Sequence, residues 1–233
     1  MEIRHIPAHV GMIMDGNRRW AKLKGVSTAR GHYIGICNIT HIIESSIALG
    51  IPVLSMYAFS TENWKRAKTE VTALMNLMHL FLKRQTEWLN QQGTQIRVIG
   101  KIDELPAKVQ QIIAYSEDIT RHNHRLILNI AFNYGGQQEL IHATQKLLAA
   151  PPAHPWDEAT ITSQLYTAGQ PDVELLIRTA GEQRISNFLL WQSANAFFYS
   201  TETTWPDFKK EQLIQALCAY SQYVEHEQQL ITT

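Results

Sequence analysis

The chain has 233 residues, with 21 Lys and Arg against 21 Asp and Glu, 45% apolar residues and 18% charged ones. Enough apolar residues are present to build one sizeable core, which excludes global disorder. The absence of net charge excludes a broadly basic nucleic-acid-binding surface, because counterion release needs positive charge in excess, but leaves room for a local anion site.

Short apolar runs alternate with longer amphipathic ones, the pattern of an α/β fold. The first strand is expected at 10–14, closed by Asp15-Gly16, and the second at 53–59, entered through Gly50-Ile51-Pro52. Val71, Leu74, Met75, Leu77, Met78, Phe81 and Leu82 then recur at helical spacing before Gly93. This stripe suits core packing or, since Met adapts to varied shapes, one wall of a tunnel for an apolar substrate. A third strand is expected at 95–99, a helix at 106–122, a fourth strand at 126–131 and a helix at 136–149. The segment 150–155, with three prolines, reads as a surface loop too short to divide domains. A fifth strand at 173–177, a weaker sixth at 196–199 and a helix at 209–229 complete the chain. The expectation is a single domain, 1–233, with a central, mostly parallel six-stranded sheet flanked by helices.

Cys37 and Cys218 stand far apart in apolar helical contexts and read as buried free thiols in a reducing compartment. The first residues lack the apolar stretch of a secretory signal, and no run approaches the ~20 apolar residues of a spanning helix. A soluble, cytoplasmic protein without stable membrane insertion is expected.

Ligands of open parallel sheets bind beyond the carboxyl ends of the strands, so those junctions come first. At the first, Gly16 before a helix start exposes backbone N–H groups to an anion, Asn17 adds an amide donor, and Arg19 a planar phosphate clamp. Asp15 would repel that anion unless a divalent metal, Mg²⁺ by usage, bridges carboxylate and phosphate. The plainer reading of Asp15 is a helix N-cap. His32 follows closely enough to fold back toward Asp15, where a neutral imidazole would donate to a phosphate or relay a proton. The second junction, Ser60-Thr61-Glu62-Asn63-Trp64-Lys65-Arg66, concentrates hydroxyls, an amide, an aromatic and a guanidinium. The third runs from Arg178 through Gly181 to Arg184, Ile185 and Ser186, and suits a second anion or the far side of the first. No Walker-type loop, dinucleotide fingerprint or nucleophile elbow is present. His122-Asn123-His124 reads as a solvated helix end, and His79 and His142 as structural or exposed.

The segments 9–21, 57–64 and 178–192, with Asn133-Tyr134-Gly135-Gly136 and Trp205-Pro206-Asp207-Phe208, resemble the signature blocks of the cis-prenyltransferases. Undecaprenyl diphosphate synthase is the familiar member. The resemblance implies a homodimer with an apolar tunnel beside each sheet. An allylic prenyl diphosphate would bind at the first junction, held by Gly16, Asn17, Arg18, Arg19, His32 and Arg66 with Mg²⁺ on Asp15. Isopentenyl diphosphate would bind at the third junction, on Arg178, Arg184 and Ser186. Asn63, with Ser60, Thr61 and Glu62, would serve proton transfer, and Trp20, Trp64 and Ile185 join the substrate contacts.

The chain departs from that pattern on the isopentenyl side. Phe197 stands where the family carries a late metal-binding Glu, and Val224-Glu225-His226-Glu227-Gln228 replaces a C-terminal Arg-x-Gly segment that reaches across the dimer. Arg18 replaces a Gly, Thr28 an Arg, and Gln137 the Arg usual after Gly136. Cis-condensation of an allylic with isopentenyl diphosphate is the main expectation. The alternatives are an enzyme that ionises an allylic diphosphate and then cyclises, hydrolyses or couples it, and an inactive partner subunit.

Overall fold

The structure is a computed structural model describing residues 2–153 and 155–232. Met1, Thr233 and His154, the last within the expected surface loop, lie outside the described residues. In chain order the elements are β1 (His9–Ile13), α1 (Asn17–Leu23), α2 (Thr28–Ala48), β2 (Val53–Ser60), α3 (Lys68–Gln91) and β3 (Thr94–Ile99). They continue with α4 (Ala107–Thr120), β4 (Leu126–Tyr134), α5 (Gly136–Ala149), α6 (Glu158–Thr162), β5 (Leu175–Arg178), β6 (Phe197–Ser200) and α7 (Lys210–Thr232).

All six strands join one sheet in the order β3-β4-β2-β1-β5-β6, and every pairing is parallel. The chain runs from β1 to β2, crosses to β3 at the edge, inserts β4 between β2 and β3, then returns to place β5 on the other side of β1. The order therefore reverses at β1, the crevice where α/β sheets bind ligands. Ile13 at the end of β1 is level with Tyr57 on β2 and Arg178 on β5, so three expected junctions are neighbours.

Every residue of β1 is buried, which is why it reads as a continuous apolar run rather than an alternating one. Val10, Met12, Leu54 and Met56 join buried residues of α2, α3, α4 and α7 in the main core. Ile13, Tyr134, Leu176 and Phe188 belong to a smaller cluster, as the period-two alternation of strands requires.

Gly31 and His32 follow α1 as expected and lie in the first turns of α2, whose start is capped by Ser27 accepting from the Arg30 N–H at 3.2 Å. Several expectations need correction. Strand β4 runs on to Tyr134 and β5 reaches Arg178. Cys218 is a buried free thiol, whereas Cys37 is exposed. The two readings of the α3 stripe divide it: Val71, Met75 and Leu82 are packed into the core, while Leu74, Met78 and Phe81 line a cavity.

Candidate active site at the ends of β1, β2 and β5

A cavity of about 340 Å³ opens beside the ends of β1, β2 and β5. One end is polar, carrying Asp15, Asn17, His32, Ser60, Asn63, Arg66, Arg178, Arg184 and Ser186; the rest is apolar, walled by Ile36, Ile39, Met56, Leu74, Met78 and Phe81. An adjoining recess is lined by Gly16, Arg18 and Arg19 together with Asp15, Asn17, His32 and Arg66.

The first junction is fixed from several directions. Gly16, the residue before α1, has φ 103°, and a Cβ there would stand 2.9 Å from the Ala180 Cβ, so only glycine fits. Asp15 is not the N-cap: Gly16 holds that position, and the Asp15 Oδ1 accepts from the Gly16 N–H at 2.7 Å. The Thr179 hydroxyl donates to the Asp15 carbonyl (2.7 Å), and the Trp205 N–H donates to the same oxygen (2.9 Å). Helices α1 and α2 approach closely because Gly31 and Gly35 have no Cβ. A Cβ on Gly35 would lie 2.2 Å from the Asn17 Oδ1.

Arg178 is the buried cation of the site. Its side chain is 3% exposed and reaches the Asp15 Oδ2 at 2.8 Å, while Asp15 is 38% exposed. Arg178 also donates to the Ser186 hydroxyl (2.6 Å) and the Arg184 carbonyl (2.5 Å). Its Nε is buried and has no partner, a donor that an anion in the cavity would satisfy. Ala180, Ser186, Asn187 and Leu189 all have positive φ, strain of the kind that concentrates at ligand-binding loops. Asn187 is held by the start of α5, its carbonyl accepting from the Gly136 N–H (2.8 Å) and its Oδ1 from the Gln137 N–H (2.9 Å).

Two carboxylates organise the remaining cations, and neither was singled out in the sequence. Glu70, in the first turn of α3, accepts from His32 Nε2 (3.2 Å) and Arg66 (2.9 Å). Burial alone would raise its pKa, but Arg66, His32 and Arg18 outweigh burial and hold it below the usual value. Burial, with smaller contributions from Arg66 and Arg18, also pulls His32 below its ordinary value against the pull of Glu70. A carboxylate only accepts, so the His32 proton sits on Nε2. Glu182 bridges Arg19 (3.1 Å) and Arg184 (2.6 Å) and so connects the first and third junctions. Its signal in the sequence was its place between two arginine-bearing segments.

The geometry brings together most of the expected site residues and leaves four aside. Trp20, Thr61, Trp64 and Ile185 line neither recess. The Trp20 indole instead donates to Asp207 (2.9 Å), and Trp64 donates to the Asn133 Oδ1 (2.7 Å). Glu62 and Asn63 do line the cavity, with the Asn63 Oδ1 fixed by the Ser60 N–H at 3.2 Å. Phe197 lies at the other end of β6 from Ser200, the residue level with Arg178, and stacks on Tyr223 at 4.9 Å. Glu225 is engaged by Arg4 at 3.0 Å, and α7 continues as helix through the region of the missing Arg-x-Gly. His122 and His124 are exposed at the end of α4.

Among the described residues no three His, Cys, Asp or Glu are grouped to hold a metal by themselves. Asp15 is nevertheless a half-exposed oxygen donor facing a cationic recess. One carboxylate completed by substrate phosphate oxygens and water is a donor set that fits Mg²⁺. No described helix is long and apolar enough to cross a membrane.

The chain matches the family model described as "Putative undecaprenyl diphosphate synthase" over residues 13–227. It is 43% identical to the isoprenyl transferase of Heliobacterium mobile over 220 residues, 92% of this chain and 85% of that one. It is likewise 43% identical to the isoprenyl transferase of Aquifex aeolicus over 216 residues, 93% of each chain. Among solved structures, lavandulyl diphosphate synthase from Lavandula x intermedia, in complex with dimethylallyl diphosphate, superposes with a TM-score of 0.88. It shares 38% identity, covering 92% of this chain and 95% of that one. A probable undecaprenyl diphosphate synthase from Campylobacter jejuni gives 0.78 at 29% identity, covering 95% and 96%.

Proposed function

The chain belongs to the undecaprenyl diphosphate synthase family of isoprenyl transferases, and from that premise we propose that it condenses an allylic prenyl diphosphate with isopentenyl diphosphate, forming a cis double bond. The observation that carries this reading is one continuous cavity with a cationic end and an apolar wall. A diphosphate leaving group needs the first, and a carbocation sheltered from water needs the second.

In this reading Asn17, Arg18, Arg19, His32 and Arg66, with the Gly16 N–H at the start of α1, hold the allylic diphosphate. Asp15 holds Mg²⁺, which when bound neutralises charge on the departing diphosphate. Arg178, Arg184 and Ser186 hold isopentenyl diphosphate, the unpartnered Arg178 Nε supplying a further donor. The allylic C–O bond breaks with its electron pair leaving on the diphosphate. The isopentenyl double bond then attacks the allylic carbon, and a proton is lost to restore a double bond. Glu62 is the carboxylate on the cavity wall beside Asn63, and so the group of this loop able to take up that proton. The Asn63 Oδ1 is already occupied by Ser60, which leaves its amide N–H groups for substrate. Residues 1–233 act as one unit. The homodimer and the cytoplasmic location rest on the family resemblance.

The test incubates the protein with Mg²⁺ and allylic diphosphates of several lengths, with and without isopentenyl diphosphate. Products longer than the allylic substrate by five-carbon steps are expected only when isopentenyl diphosphate is present. Product formation without it would replace condensation by cyclisation, hydrolysis or coupling.

A further inference from the structure

We propose that the turn joining α1 to α2 docks this protein on an anionic membrane surface, with the mouth of the cavity turned toward the bilayer. The docking stands on exposure and charge, and the condensation reading only gives it a use. Between Asp15 and Glu44 the sequence carries no acidic residue, yet it holds Arg18, Arg19, Lys22, Lys24 and Arg30. All of these are exposed, a one-signed segment in a chain of zero net charge. Glu182 and Asp207 reach α1, but each is engaged, by Arg19 at 3.1 Å and by the Trp20 indole at 2.9 Å. Among the described residues no carboxylate pairs with Lys22, Lys24 or Arg30.

At the tip of this turn the apolar side chains face outward. Leu23 is 76% exposed, more than any other large apolar residue among those described, and Val26 is 40% exposed. One exposed leucine is ordinary; this one is held in place between two lysines. The Val26 N–H donates to the Ala21 carbonyl (2.9 Å) and the Gly25 N–H to the Lys22 carbonyl (3.2 Å), with Gly25 at φ 65°. These are the paired bonds of a fixed helix-ending turn, and a Cβ on Gly25 would meet nothing within 4 Å. The tip is therefore rigid and stands clear of the molecule. It also adjoins the site. Lys22 and Leu23 follow Arg18 and Arg19 by one helical turn, about 6 Å along α1 from cations that line the recess. Arg30 shortly precedes His32, another lining residue. A soluble anion would draw on the cations alone. Leu23 and Val26 add what a bilayer takes up, apolar groups at the acyl boundary, while Lys22, Lys24 and Arg30 keep their charges among anionic headgroups. Docked in this way, the mouth passes an isoprenyl chain between cavity and acyl layer without carrying it through water.

The experiment mixes the full chain with vesicles of phosphatidylcholine alone, or of equal parts phosphatidylcholine and phosphatidylglycerol, and measures cosedimentation. Binding is expected to the anionic vesicles only, weakening as salt is raised. Each lysine at such a surface is worth about fivefold in affinity, so Lys22→Glu with Lys24→Glu should cost at least about 25-fold. Leu23→Ser with Val26→Ser should cost about tenfold, and condensation of soluble substrates should be unchanged in both variants. The substituted side chains are all exposed, and matched melting temperatures confirm that each variant is folded. No binding by the unaltered protein, or binding that either pair of substitutions leaves within about twofold, overturns the proposal. Inorganic diphosphate, which fills the cationic recess, should not release the bound protein. Release would assign the lipid contact to the site itself and overturn docking by the turn. Vesicle binding without condensation activity keeps the docking and loses the condensation reading.

Discussion

Replacing Arg178 by Met separates the two roles that the structure gives this residue. The substitution keeps most of the aliphatic length but removes donors to Asp15, Ser186 and the Arg184 carbonyl at 2.8, 2.6 and 2.5 Å. Removing one partner of a fully buried ion pair costs about 3–5 kcal/mol, because the charge left behind is stranded. Here the abandoned Asp15 is 38% exposed and regains water, which lowers the expected loss to about 1–3 kcal/mol. For a domain of this size that is a fall in Tm of about 2–12 °C. The catalytic loss should be larger. Charge-assisted bonds to a diphosphate are worth about 1.5–3 kcal/mol each, so kcat/KM for isopentenyl diphosphate should fall about 10²-fold. Steady-state kinetics with each substrate varied in turn, alongside thermal melts, measure both quantities. A lowered Tm with kcat/KM for isopentenyl diphosphate unchanged within threefold would refute the assigned role and leave Arg178 as a purely structural cation.

Other outcomes follow from the same geometry. Asp15→Ala should remove turnover and its dependence on Mg²⁺ and, by stranding the buried Arg178, cost about 3–5 kcal/mol of stability; chelation of the metal should remove turnover of the unaltered enzyme without that loss. Retained activity in either assay would contradict a metal at Asp15. Gly16→Ala forces a Cβ to within 2.9 Å of Ala180 at a φ of 103°. It should destabilise by about 1–3 kcal/mol in denaturant titrations and weaken allylic substrate binding, while an unchanged midpoint would show that the junction yields. His9 is buried, donating from Nδ1 to the Pro171 carbonyl (2.9 Å) and accepting at Nε2 from Ser55 (2.7 Å). Burial pulls its pKa from 6.5 down to about 4. The unfolded chain therefore binds the extra proton first, so this contribution is whole above pH 6.5 and is lost as pH falls toward 4. Up to about 3 kcal/mol should disappear over that window, and His9→Gln should flatten the profile. An equally steep profile in the variant would place the titration elsewhere.

The sheet was legible in the sequence because strands buried on both faces are short apolar runs bounded by glycine, proline and asparagine, and each strand was found to within a few residues. The junctions were legible for a related reason: polar and cationic residues directly after such a run stand at a sheet edge wherever the strands are parallel. What escaped was everything set by contacts between elements. Glu70 lies on an ordinary amphipathic helix, and only its approach to His32 and Arg66 gives it a role. Cys37 sits between cavity-lining Ile36 and buried Asn38, so the local composition looks wholly apolar. The polar neighbour is the buried one, because the Asn38 amide donates to the Trp205 and Phe208 carbonyls at 2.8 Å. Phe197 could be aligned with a family ligand, but which end of β6 it occupies is fixed only by the register with β5. Trp20 and Trp64 showed that an aromatic in a signature segment can be spent on holding that segment in place.

The reversal of strand order at β1 also has a consequence in time. Asp15 leaves the ribosome early, yet it is held by Thr179 and Trp205 and paired with Arg178. At translation rates of about 5–20 residues per second, some 10–40 s separate the synthesis of Asp15 from that of Trp205. Until β5 is made, the β1 edge that will receive it is open and the Asp15 carboxylate lacks Arg178. A fragment ending before Leu175 therefore has both an incomplete site and an exposed parallel edge.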